Sequence, residues 1–290
     1  MNKEKRKRTR KIKQRRLITK DGIRKHQKQH SARLRRRRRK RKKLSLKHLI
    51  LIPSCILILV GVGGLLIYWH HISVQNNKLE NLAEIVDDTV EINNSTGNSI
   101  LPKYAAIYDE NNDLFGWIGI DGTKINYPVM HTPKEPEKYL RTNFEGKYSQ
   151  IGLPFIEGDC SKDSDNLLIY AHNMKDGSMF HSLLKYKDKD YWVKHSIINF
   201  DTLYEEKEYE VMSVFYDRVY NKSDDVFKFY NFIDAEDKED YENAINYFEE
   251  KQLYDTDVKA EYGDQLITLV TCSYHEDNGR FVVVAREIQK

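Results

Sequence analysis

The sequence predicts a mostly β fold with inserted helices, a closed β-barrel over residues 101–290, preceded by one transmembrane helix and a helical stalk. Three features predict it. A 21-residue apolar run lies near residue 50, short strand-like runs follow one another closely after residue 114, and helical periodicity interrupts those runs twice.

The apolar run is Leu49–Trp69, "LILIPSCILILVGVGGLLIYW", without a charged residue. At 1.5 Å per residue a helix of this length covers roughly 30 Å, the hydrocarbon thickness of a bilayer. A secretory signal peptide has a shorter apolar core and a small-residue cleavage site. Here the run exits through Tyr68-Trp69-His70-His71, an interfacial aromatic pair, so residues 48–70 read as an uncleaved membrane span in contact with lipid.

Charge sets the orientation. Residues 1–47 hold 25 of the 48 Lys and Arg and two acids, Glu4 and Asp21, a net +23; the remainder carries 23 basic and 42 acidic residues, a net −19. The positive-inside rule places this basic tail in the cytoplasm and everything after about His70 outside the cell membrane. Arginine runs such as "RLRRRRRKRKK" also bind nucleic-acid phosphates without sequence preference. Beside a membrane span the favoured reading is a disordered tail lying on anionic headgroups, with no specific nucleic-acid partner.

Residues 71–100 are read as the stalk: Leu79, Leu82, Ile85 and Val86 recur at helical spacing, and the loop "NNSTGNS" follows. A short helix, "PKYAAIYDEN", starts at Pro102, a favoured first-turn residue. Strands come next: "FGWIGI" and "KINYPVMH" about the turn Asp121-Gly122, then "GLPFIEGD" and "NLLIYAHNM". "SMFHSLLKYKDKDYWVKH" is helical in composition, "SIINFDTL" and "EYEVMSVFYDRVY" are strands, and "AEDKEDYENAINYFEEKQLY" is a helix with Tyr241, Ala244, Ile245 and Phe248 on one face. A hairpin over Thr268–Glu287 ends the chain.

Three cysteines make neither a disulfide framework nor, without CxxC or HxxxH spacing, a zinc module, and no cofactor is expected. Cys55 is in the span, Cys160 in a polar loop and Cys272 at a strand end. A Cys160–Cys272 pair stays open at this level. Symmetric pairing about Glu276 sets Cys272 opposite Arg280, while Arg286 lies about 20 Å further along the strand. A guanidinium beside a thiol favours thiolate and supplies donors for an oxyanion. The missing proton carrier is a histidine. His172 caps the strand "NLLIYA"; His275, in the loop after the cysteine, competes with it; His181 and His195 read as surface or packing residues.

"TLVTC", with Arg280 eight residues on and then "FVVVA", resembles the active-site signature of sortases, and "LIYAHNM" resembles their histidine strand. "GWIGIDGTKINYPVMH", "YLRTNFEGKYSQIGLPF", "KDGSMFHSLLKY" and the helix at 235–254 are similar to class B in particular. The resemblance runs from Pro102 to the C-terminus and implies a cysteine transpeptidase of a Gram-positive bacterium. In it Cys272 is the nucleophile, His172 the general acid/base, and Arg280 orients substrate and stabilises the oxyanion. It implies as partners secreted proteins with a C-terminal sorting motif, cleaved after threonine, and an amine of a peptidoglycan precursor or cell-wall peptide. Leu140, Phe227, Val270 and Thr271 are the expected substrate-groove residues. Two positions depart from the class B pattern: Val270 in place of serine, and Pro136 in the segment where a substrate-contacting asparagine is expected. They leave the sorting motif open. A pilin polymerase using a lysine amine and a non-catalytic membrane-tethered scaffold are the alternatives; the scaffold predicts loss of Cys, His or Arg, and all three are present.

Overall fold

The computed structural model describes residues 3–39, 46–88 and 99–289. These divide into two compact units, Met1–Ile67 and Tyr68–Lys290. In the first, α1 (Lys3–Arg39) is helical where the charge pattern was read as a disordered tail. Its Lys, Arg and Gln are good helix formers, it contains no proline, and Gly22 is its one strong breaker. Helix α2 (Leu46–Asp88) carries the apolar run, and among the described residues it alone is long and apolar enough to cross a membrane.

The end of α2 behaves differently from a free stalk. Ile72, Leu79, Leu82, Ala83 and Val86 are buried against the rest of the second unit, while Ile85 of the predicted stripe is exposed. Apolar spacing that reads as a helix thus marks a docked face. Of the predicted loop at 93–99, residues 93–98 lie outside the described residues.

Eight strands close a barrel: β1 (Leu114–Gly119), β2 (Asn126–Met130), β3 (Phe155–Ile156), β4 (Asn166–Tyr170), β5 (Ile197–Thr202), β6 (Glu208–Arg218), β7 (Leu266–Cys272) and β8 (Gly279–Glu287). Their order around the barrel is β1-β2-β3-β4-β7-β8-β6-β5. The β2–β3 and β4–β7 pairs are parallel and the rest antiparallel. Closure requires Gly116. It pairs with Thr202 across the β1–β5 seam, and a Cβ there would stand 2.0 Å from the Asp201 carbonyl oxygen. Strand β3 is only two residues long, because Pro154 has no N–H to give and Gly152, at φ +59°, turns the chain before it.

Helices fill the connections. α3 (Pro102–Glu110) precedes β1, and the stretch after β4 forms a 3-10 helix (Phe180–Lys187) and then α4 (Lys189–Lys194), capped by Asp188. α5 (Lys238–Lys251) starts at Asp237, whose carboxylate accepts from Asp240 N (3.0 Å), with Glu239 and Asp240 in its first turn. Its apolar face is the predicted one: Tyr241, Ala244, Ile245 and Phe248 are buried. Phe248 stacks on Phe215 of β6 (5.9 Å) and sits edge-on to Phe232 (6.2 Å), and its carbonyl accepts from Ser213 Oγ (2.6 Å).

Truncating so buried a ring leaves a cavity, so Phe248→Ala should cost about 3–5 kcal/mol. Chemical denaturation should show this as a lower midpoint with an unchanged slope.

Candidate active site

A groove of about 1040 Å³ opens where β4 and β7 end and β8 begins. Strands β4 and β7 run parallel in register from Asn166↔Leu266 to Tyr170↔Val270. The alignment persists past the strand ends: Ala171 N donates to Val270 O (3.2 Å) and Thr271 Oγ1 to Ala171 O (2.9 Å). His172 and Cys272 therefore each stand two residues beyond the last paired position, and both line the groove. On the other side of β7, Cys272 pairs directly with Arg280 of β8. The facing pair expected from hairpin symmetry is present, and Arg286 pairs with Leu266 at the opposite end of the hairpin.

His172 Nε2 lies 2.9 Å from the Leu140 carbonyl oxygen. A carbonyl can only accept, so Nε2 carries the proton and Nδ1 is the basic nitrogen of the neutral ring. Burial of the half-exposed imidazole depresses its pKa below 6.5, outweighing the bond to Leu140, which acts the other way. Arg280 Nη1 donates to the carbonyls of Asn278 (3.2 Å) and Gly279 (3.1 Å), which hold the guanidinium at the groove wall.

Of the predicted groove residues, Leu140, Val270 and Thr271 line it, and so does Pro136. Phe227 does not. Its ring packs 4.7 Å from Tyr247 at α5, and Phe229 and Tyr230 form that groove wall instead. The competing His275 lies outside the groove lining: its ring is 4.8 Å from Tyr216, with Nδ1 3.0 Å from Ser273 Oγ and Nε2 3.0 Å from Glu276. Cys160 lies in the polar loop between β3 and β4, as expected, but is buried there, with Sγ 3.6 Å from Asn166 O and its thiol pushed up to about 12 by burial. All three cysteines are free.

The family model described as the sortase domain matches residues 118–288. Sortase B of Listeria monocytogenes is 32% identical over 186 residues, covering 62% of this chain and 72% of that protein. The chain belongs to the sortase family, class B. Sortase B of Staphylococcus aureus is 30% identical over 194 residues, 66% of this chain and 76% of that protein. The crystal structure of Bacillus anthracis sortase B superposes with a TM-score of 0.67 at 28% identity, covering 77% of this chain and 100% of that one. Like other sortases, the chain is a cysteine transpeptidase that acts on peptides.

Beside this groove two residues were not anticipated from the sequence. Asn173 Nδ2 donates to the Cys272 carbonyl (3.1 Å), and its Oδ1 accepts from His181 Nδ1 (2.7 Å). His181, read as a surface or packing residue, thus orients the amide that ties the histidine loop to the cysteine strand. The signal available in the sequence was the asparagine beside His172 in "AHNM".

The depressed His172 pKa has a consequence for stability. Below pH 6.5 the unfolded chain takes up this proton before the folded one, so stability present above that pH is lost as pH falls through the folded-state value. The His172 resonance should titrate with a midpoint below 6.5, and a His172→Gln variant should lose less stability on acidification than the parent. A midpoint above 6.5 would contradict the burial argument.

Proposed function

We propose that the protein is a membrane-anchored transpeptidase that cleaves a C-terminal sorting motif after threonine and joins the product to a cell-wall peptide amine. Cys272 is the nucleophile, His172 the proton carrier, and Arg280 the donor to substrate carbonyl oxygens. The observation that carries this reading is the presence of these three side chains on one groove, with Cys272 paired to Arg280 and level with His172.

In the first half-reaction Cys272 Sγ attacks the threonine carbonyl carbon while Nδ1 of neutral His172 takes the thiol proton. A C–S bond forms, the C–N bond breaks, and the imidazolium returns the proton to the leaving nitrogen. The second half-reaction reverses the roles. The incoming amine attacks the thioester, His172 takes one of its protons, and the thiol is restored. Arg280 offers fixed donors to the oxygen that becomes negative in both steps.

The domain plan follows the charge pattern: a basic cytoplasmic segment 1–47, a span at 48–70, a connecting segment 71–100, and a catalytic domain 101–290 outside the membrane. The amine has two chemical sources, a wall peptide or a lysine of another pilin-like subunit. The chain does not encode the amine, so identification of the joined product distinguishes the two.

Mass spectrometry of products from candidate sorting peptides and amines tests the chemistry. Cys272→Ala should abolish both cleavage and labelling by a methanethiosulfonate, while Cys55→Ala and Cys160→Ala retain both. Arg280→Ala should lose about 10²–10³ in turnover while remaining folded. Arg280→Lys should recover little of it, because an ammonium cannot reproduce a planar fork. Arg286→Ala should turn over near the parent rate. A dead Arg286→Ala or a fully active Arg280→Lys would reassign the arginine.

Topology has its own test. Protease added to wall-stripped cells should digest the domain after His71 and spare residues 1–47; digestion of the basic segment would reverse the orientation.

A further inference from the structure

The end of α2 reaches the catalytic domain at two loops, and they are the loops that hold His172 from either side. Asn76 Nδ2 donates to Asp176 Oδ2 (2.9 Å), in the loop that follows His172. Lys78 pairs with Glu145, and Gln75 Oε1 accepts from Ser149 Oγ, both in the loop that follows Leu140. Ser149 and Gln75 are 0% and 8% exposed, so this hydrogen bond is shielded from water. Removing one partner of such a bond leaves the other unsatisfied.

From Ser149 the contacts continue inward. Its Oγ accepts from Gly152 N (3.1 Å), and its own N–H donates to Arg141 O (2.9 Å). Gly152, at φ +59°, lies so close to the preceding turn that a Cβ would stand 2.5 Å from Tyr139 O and 2.7 Å from Leu140 O. Leu153 N donates to Tyr139 O (2.9 Å). The Leu140 carbonyl that accepts from His172 Nε2 is therefore held by a stretch with little room to shift, and its outermost support is Gln75.

We infer that Gln75 is a positioning residue for the transpeptidation reaction: through Ser149 and Gly152 it holds the Leu140 carbonyl, and that carbonyl keeps His172 in its Nε2–H form at the groove. The helix that leads into the domain is then part of the catalytic geometry as well as its tether. This rests on the assignment of His172 as proton carrier. Asn76 holds the loop on the other side of the ring in the same way, but its partner Asp176 is more open to solvent, so Gln75 carries the larger share.

The test uses the full chain in detergent, with histidine labelled by 15N and the peptide that the parent cleaves in the assay above. Three variants separate position from folding. Gln75→Ala removes the acceptor. Gln75→Leu combined with Ser149→Ala removes both partners of the Gln75–Ser149 bond, together with the acceptor of Gly152 N, and keeps an apolar filling at 75, so its fold is checked by circular dichroism. Gln75→Glu keeps an acceptor oxygen. The first two should lower kcat about tenfold with KM changed less than about twofold, the pattern of a misplaced reacting group. In both, the His172 Nε2–H resonance, protected in the parent, should exchange with solvent. Gln75→Glu should restore rate and resonance together. A folded double variant with parental kcat and an unchanged resonance would overturn the inference, and so would a Gln75→Glu no better than Gln75→Ala. Turnover retained by His172→Ala would instead overturn the proton-carrier assignment, and the resonance would still report whether Gln75 is coupled to the ring.

Discussion

The parallel pairing of β4 with β7 is the constraint on which the site depends. Cys272 and His172 are a hundred residues apart in sequence, and neither is brought to the other by a local turn. A continuous register from Asn166↔Leu266 to Tyr170↔Val270 delivers both to the same end of the barrel at the same height. Buried β-branched and leucine side chains fill these strands, as expected where both faces of a parallel pair are covered. A one-residue slip would send His172 and Cys272 to opposite faces, so the apolar packing of the strand bodies fixes where the proposed catalytic pair stands.

Around that pair the rest of the molecule supplies walls and fastenings. The β7–β8 hairpin brings Arg280 level with Cys272, the Leu140 carbonyl fixes the imidazole tautomer, and Asn173 bonds the cysteine's own carbonyl. The long strand β6 and helix α5 share an aromatic cluster built on Phe215, Phe229 and Phe248, which supports the groove wall at Phe229 and Tyr230. Most of these fastenings end on backbone atoms. Their partners are set by chain path rather than by residue type, so several segments are committed to one groove geometry.

Much of this was legible in the sequence, for physical reasons that differ between elements. Helix α5 showed itself by period, because burial on one face requires it, the strands showed themselves as short strand-forming runs between turns, and the Cys272–Arg280 pairing followed from hairpin symmetry. The docked end of α2 was half legible: its apolar stripe was visible, but a stripe does not say what covers it. Phe227 failed as a groove residue because aromatic composition cannot separate a residue packed beside a helix from one facing a groove two positions away. The Leu140 carbonyl and the Ser149–Gly152 support could not be read at all. A backbone acceptor has no residue signature, and the glycine that permits the close approach looks like any other loop glycine.

The burial of Cys160 has a consequence for redox chemistry. Thiols exposed to oxidants outside a reducing cytosol pass to sulfenic acid, and a neighbouring cysteine commonly rescues them by forming a disulfide before further oxidation. Cys160 is buried, bonded to the Asn166 carbonyl, and its thiol is pushed up to about 12, so neither exposure nor thiolate character suits it to serve as that neighbour. Cys55 belongs to the apolar helix. An oxidised Cys272 must therefore be reduced by a thiol from another molecule, or advance to sulfinic acid, a state from which ordinary thiols do not recover it.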